Sequence, residues 1–287
     1  MVSYQILTDS GSDLSEQQLK AWNVQAVPLT LNFRGAAIDD SVDAGIADLY
    51  AGLRAGEPAS TSAINPDRWT RAMEEVLSAG QDLLVLAFSG GLSATAQSAV
   101  IAANELQEKY PQRKISVVDT LCASLGQGLL VWYAAQKRGE GLSLEELTAW
   151  VEEHKQNLCM WFTVDDLMFL KRGGRVNAAT ALVGTMLGIK PILHVDEEGH
   201  LINVGKVRGR KASLDALCAK VGELGLPGEN ETVFISHGDS LKDAQYLAQK
   251  LQEKYGIKEV VIGYVGAVIG SHSGPGTIAL FFLGAHR

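Results

Sequence analysis

The spacing of apolar residues changes along the chain, and each change predicts an element. The short apolar runs "YQILTD" (4–9), "DLLVLAF" (82–88) and "ISVVD" (115–119) read as buried strands. "VQAVPLTLNF" (24–33) reads as a further strand weakened by Pro28, which suggests an edge or a bulge. Between these runs apolar positions recur at helical spacing, predicting helices over 14–22 and about 43–54, 66–79, 93–109 and 122–138. Strands alternating with helices of this length point to right-handed βαβ units and a parallel sheet. Ligands of such sheets sit beyond the carboxyl ends of the strands. That singles out three post-strand loops, "TDSGSD", "FSGGLSATAQ" and "VDTLCASLGQG".

The second half has a different texture. A helix over about 143–157 is followed by "KPILHVD" and "HLINVGKV", which flank the turn "EEG" and predict a hairpin. "ETVFISHGD" (231–239), a helix over 240–255, "EVVIGYVG" and "GTIALFFL" complete a mixed pattern. The expected fold is therefore α/β with two domains. Residues 1–157 would form a mainly parallel sheet flanked by helices, and residues 158–287 a mixed α+β domain. Near the end, "GAVIGSHSGPGTIALFF" (266–282) reads as one or two buried strands. Ser271, His272 and Ser273 interrupt it as a loop, closed by the turn-forming Gly274, Pro275 and Gly276.

Composition narrows the function classes. The 287 residues suit one large or two ordinary domains, and 46% hydrophobic with 20% charged residues is globular. A formal net charge of −8 argues against wholesale binding of nucleic acid or anionic lipid. Local positive charge remains at Lys171, Arg172 and Arg175, and at Lys206, Arg208, Arg210 and Lys211. No apolar run reaches the ~18 residues of a membrane span, and the N-terminus lacks a basic region followed by an apolar core. A cytoplasmic protein without stable membrane insertion is the expectation. Cys122, Cys159 and Cys218 lie far apart and read as small buried hydrophobes, not as disulfides or zinc ligands.

Candidate chemistry is sparse. Ser93 stands where a helix begins after a strand and two glycines, so its hydroxyl suits either an N-cap or an anion held beside free N–H groups. Thr61 and Ser62 lie in a predicted loop just before Asn65–Pro66, a helix start with Asn65 as cap. "FLKRGGRV" (169–176) reads as a helix C-terminus whose last turn holds Lys171 and Arg172, leaving Arg175 unexplained. Neither a metal motif nor an ATP-binding P-loop is present, and "GLSAT" is not a nucleophile elbow.

Taken in order, "TDSGSDL", "TS" before a helix-opening proline, "SGGLSATAQSA", "VVDTLCASLGQG", "FTVDDLMFLKRGGRV", "LGIKPIL", "SHGD" and "IGSHSGPGTIALFF" resemble the DegV family. That family includes the fatty-acid-binding subunits of bacterial fatty acid kinase. The resemblance covers essentially the whole chain, and "LKRGGRV" and "GSHSGPG" are its most specific parts. It implies two α/β domains clasping one long-chain fatty acid, with no other cofactor. The carboxylate-binding positions by motif are Thr61, Ser62, Ser93 and His272. A cationic His272 would hold the carboxylate by a charge-assisted bond. The partner implied is the kinase catalytic subunit, which would convert the bound lipid to an acyl phosphate for phospholipid synthesis. Arg172, Arg175 and Arg208 would lie nearer that partner or the phosphoryl group. The chain departs from the family pattern at Ala63, in a glutamine place, and at Ala94 and Ala96, which replace a glycine and a large aromatic. Pocket shape is where those changes act. The rival reading is a stand-alone acyl hydrolase or transferase using Ser93 and His272, for which no third orienting residue is evident.

Overall fold

The computed structural model describes residues 4–43, 45–176 and 188–287. Strands β1 (Tyr4–Asp9), β2 (Val24–Val27), β6 (Asp82–Ala87) and β7 (Ile115–Asp119) form a parallel sheet in the order β2-β1-β6-β7. Residues on both faces of β1 and β6 are buried, which is why these strands read as continuous apolar runs and not as alternating ones. One face packs on α3 (Pro66–Ser78) and α4 (Thr95–Lys109), around Trp69, Met73 and Ala99. The other face packs on α5 (Leu125–Gly139) and α6 (Leu144–His154).

A six-stranded mixed sheet covers the far side of α5. Its order is β10-β9-β8-β13-β11-β12, built from β8 (Leu158–Thr163), β9 (Ile189–Val195), β10 (Leu201–Arg208), β11 (Thr232–His237), β12 (Glu259–Tyr264) and β13 (Ile278–Leu283). Helices α8 (Arg210–Leu224) and α9 (Leu241–Tyr255) pack on its outer face. Helix α5 is thus sandwiched between two sheets. Gly126 and Gly128 let its backbone approach Met160 and Phe281 on one side, and Ser12 and Leu14 on the other.

The βαβ alternation and the hairpin are as the periodicity predicts, and Cys122, Cys159 and Cys218 are free and buried. Asn65 caps α3 by accepting the Arg68 N–H at 2.9 Å, with Pro66 in its first turn; such a cap contributes ~1 kcal/mol. Other expectations need correction. Residues 24–33 form two strands in different sheets, because the chain turns at Pro28 and Leu29. β2 is an edge of the parallel sheet, while β3 (Thr30–Phe33) joins β4 (Ala36–Asp39) and β5 (Ala59–Ser62) in a small antiparallel sheet. Thr61 and Ser62 therefore sit on a strand, paired to Leu31 and Thr30, and not in a loop. Strand β8 and helix α8 are additions to the predicted elements.

The largest correction concerns the C-terminal segment. Ala267–Ser273 is a helix, α10, so Ser271, His272 and Ser273 lie in its last turn and not in a loop. Its mixture of Ala, Val, Ile and Gly is as apolar as a strand, and two buried faces in so short a helix leave no period to read. The short helix α7 (Met168–Arg172) ends at Gly173 as the cation-rich last turn predicts. Leu187, the first residue of "LGIKPIL", lies outside the described residues.

Candidate functional site

Beyond α5's first turn, the layer between the two sheets is not filled by side chains. The cavity there encloses about 950 Å³ including its mouth, at the upper end of the range of small-molecule pockets. Its floor is the mixed sheet, through Met160, Phe162, Ala279 and Phe281. Its opposite wall is the loops that follow β2, β6 and β7, so it occupies the carboxyl ends of the parallel strands. Helix α10 supplies a third wall with Val268, Ile269 and His272.

Buried polar groups of the first half hold α10 and the residue leading into it. Asp40 accepts the Val268 N–H at 3.1 Å, and the Tyr50 hydroxyl donates to the Val265 carbonyl at 2.8 Å. A carboxyl at a helix N-terminus suits the unpaired N–H groups there. Burial nevertheless pushes the Asp40 carboxyl up to about 6. Asp9, at the end of β1, accepts from Phe88 N–H at 2.7 Å and Gly11 N–H at 2.9 Å, and burial pushes it up to about 7. These acids were not among the predicted site residues, although Asp9 lies in the loop "TDSGSD" that the strand pattern singled out.

Thr61, Ser62, Ser93 and His272 all line the cavity. Thr61 Oγ1 and His272 Nε2 lie 2.7 Å apart and share a hydrogen bond whose direction follows the imidazole tautomer. Ser93 differs in detail from the predicted cap. Ala94 is the cap residue of α4, and Ser93 Oγ instead contacts Thr95 Oγ1 at 2.8 Å and accepts the Thr95 N–H at 3.3 Å. With His272 bonded to Thr61 and Ser93 to Thr95, the two do not form a nucleophile–base pair.

His272 is not cationic here. Burial first, and then the nearby Arg175 charge, lower its pKa to about 4, so the imidazole is neutral at pH 7. The cationic His272 that the resemblance implied is therefore not what the structure has without an anion beside it. The opposite edge of the ring, at Nδ1, abuts Gly173. A Cβ there would fall on Nδ1, inside any real carbon–nitrogen contact.

The three arginines divide. Arg175 lines the cavity and is half-buried, with its guanidinium donating to the carbonyls of Gly173 and, at 3.1 Å, Leu92. Arg172 is exposed, stacked 4.5 Å over Phe169, and lines a separate outer recess with Glu57, Ser60 and Phe169. Thr61, Arg175 and His272 line both the recess and the cavity, so the wall between them is one layer of side chains. Arg208 is exposed at the end of β10 and lines neither space. Among the described residues no group of three or more metal-ligating side chains converges, and no helix is long and apolar enough to cross a membrane.

Comparison with known proteins covers the chain end to end. The family profile described as "Uncharacterised protein, DegV family" matches residues 3–285. A DegV domain-containing protein of Clostridium perfringens is 44% identical over 286 residues, covering 99% of this chain and 98% of the relative. Among solved structures, a DegV family protein from Thermus thermophilus, described by its fatty acid binding, is 33% identical with a TM-score of 0.89. That match covers 99% of this chain and 100% of the other. The B3 protein of the Streptococcus pneumoniae fatty acid kinase, solved loaded with linoleic acid, shares the fold at a TM-score of 0.84. It is 23% identical, with 99% of each chain covered.

Proposed function

The chain belongs to the DegV family, and from that premise we propose that it is a cytoplasmic carrier of one long-chain fatty acid. It presents the carboxyl group to a separate kinase for acyl-phosphate formation. In this reading residues 1–157 and 158–287 act as two domains that clasp the acyl chain between them. Thr61, Ser62, Ser93 and His272 hold the carboxylate, and Arg172 and Arg175 face the incoming phosphoryl group. The observation that carries the reading is the thin wall formed by Thr61, His272 and Arg175 between an apolar cavity and an outer recess. A carboxyl at that wall can be reached from outside while the chain stays buried.

The division of labour follows from magnitudes. A sixteen-carbon chain buries about fourteen methylenes, worth roughly 11 kcal/mol gross at ~0.8 kcal/mol each. That leaves micromolar binding or better after the costs of association. The polar groups then supply orientation. The neutral imidazole and the hydroxyls donate to the carboxylate, and Arg175 supplies the positive charge that His272 lacks.

Quantitative extraction of the purified protein with mass spectrometry is the test. About one fatty acid per chain is expected. Far less than one, together with no uptake by the delipidated protein, would sink the carrier reading.

A further inference from the structure

The cavity face of α10 carries more than His272. Val268, Ile269, His272 and Ser273 all line the cavity, and spacings of one and four residues put them on one side of the helix. Ser273 stands one turn beyond Ile269, beside the imidazole. It is 4% exposed, so its side chain is shut off from bulk water. Ser271 and His272 line the outer recess, and Ser273 does not. Ser273 therefore meets a ligand only from the inner side of the wall that Thr61, His272 and Arg175 form.

A serine inside a helix can turn its hydroxyl back to a carbonyl about one turn earlier. Ser271 does so, donating to the Val268 carbonyl at 2.8 Å. For Ser273 the carbonyl three residues back, that of Gly270, accepts from the Gly274 N–H at 2.8 Å. Thr277, which also lines the cavity, directs its own proton to the carbonyls of Ser273 and Gly274, at 3.1 and 2.8 Å. Ser273 Oγ is left with no hydrogen-bond partner among the described residues. Burying a donor without an acceptor is unfavourable, which is why such groups have partners in most interiors. The space this hydroxyl adjoins is the one a lipid would fill.

Building on the carrier reading above, we propose that Ser273 is a further ligand of the lipid carboxylate. It is not among the four positions that the family resemblance implies. Its hydroxyl donates to the carboxylate oxygen turned away from the recess, while Thr61, His272 and Arg175 meet the oxygen at the wall. An ionised carboxylate has about four acceptor sites on its two oxygens, so an inner donor does not compete with those at the wall. Ser273 breaks no protein hydrogen bond to reach the ligand, so the new bond adds to binding without a compensating loss.

The test is Ser273→Ala beside Ser271→Ala, each delipidated and titrated with palmitate labelled with carbon-13 at its carboxyl. Ser273→Ala should raise the Kd for palmitate roughly tenfold or more. NMR titration of the bound carboxyl should give a higher pKa than in the unaltered protein, since a donor to the ionised form lowers it. Empty Ser273→Ala should melt at or above the empty unaltered protein, because the hydroxyl it loses had no partner there. Ser271→Ala should leave the Kd and the carboxyl titration unchanged. If Ser273→Ala leaves either of them unchanged, the proposal is overturned. It is overturned equally if empty Ser273→Ala is destabilised or does not fold, since the hydroxyl would then serve the fold and not the ligand. If the unaltered protein takes up no palmitate, the carrier reading fails first and takes this one with it.

Discussion

Gly173 and Gly174 are adjacent, yet the structure requires them to be glycine for opposite reasons. Gly173 has an ordinary φ of −72°, which alanine adopts freely, but its missing Cβ makes room for the His272 ring. Gly174 has φ +71°, which alanine resists, but nothing stands within 4 Å of where its Cβ would be. Gly173→Ala should therefore cost no backbone strain, and could gain a few tenths of a kcal/mol through the unfolded state. It must instead push the imidazole off Thr61. Loss of that bond and of the imidazole's bond to a carboxylate should cost about 1.5–3 kcal/mol of binding, or roughly ten- to a hundredfold in Kd. Gly174→Ala should show the reverse, with ~1 kcal/mol less stability and little change in affinity. Titration of delipidated variants with palmitate, beside thermal melts of the same samples, measures both. If Gly173→Ala binds like the unaltered protein, or if the two variants share one phenotype, the placement of His272 against Gly173 is not what sets head-group binding.

Three further expectations follow from the same geometry. Ser93→Ala and His272→Ala should each weaken fatty-acid binding about tenfold with the fold intact; unchanged isotherms for both would reduce Ser93 to a support for Thr95. Arg172→Glu should impair acyl-phosphate formation by the cognate kinase yet spare lipid binding, Arg175→Glu should impair both, and Arg208→Glu should do least. Kinase assays run beside isotherms would expose the error if Arg208→Glu were the most damaging. Asp40, raised in the fold to about 6 from 3.8, stays protonated while its unfolded counterpart ionises, so its contribution is full below pH ~4 and is lost as pH rises through about 6. Asp40→Asn should thus gain stability relative to the unaltered protein over that window, by up to about 3 kcal/mol. A stability difference independent of pH in chemical denaturation would refute this.

What the sequence makes legible is what has a period or a cap. β1 and β6 stand out as apolar runs because both their faces are buried, and α3 declares itself through Asn65 and Pro66. Strands β4 and β5 are four residues each and largely exposed, so neither has a buried face that an apolar pattern could mark. Helix α10 hides for the opposite reason, since its residues would suit a strand equally well. The four hydroxyl and imidazole candidates came from a family resemblance, and they do line one cavity. Their protonation could not be read the same way. The neutrality of His272 depends on burial and on Arg175, nearly a hundred residues earlier in the chain, and neither leaves a mark at position 272. The buried Asp9, Asp13 and Asp40 are equally silent, because an aspartate after a strand is as common in a turn as in a core.

The Thr61–His272 bond joins residues 211 positions apart, and only β13 follows α10 among the described elements. A binding site closed so late cannot exist on a partly synthesised or partly opened chain. Contacts of such separation also slow folding, because the intervening chain must be ordered before they form. Any occupant then stabilises the molecule as a whole and not one region of it. By mass action the gain is about 2.7 kcal/mol when free ligand stands a hundredfold above Kd. Filled and empty molecules therefore differ in lifetime as well as in cargo. On the carrier reading, proteases that act on opened chains would remove the empty ones first, and the standing pool would report the supply of lipid.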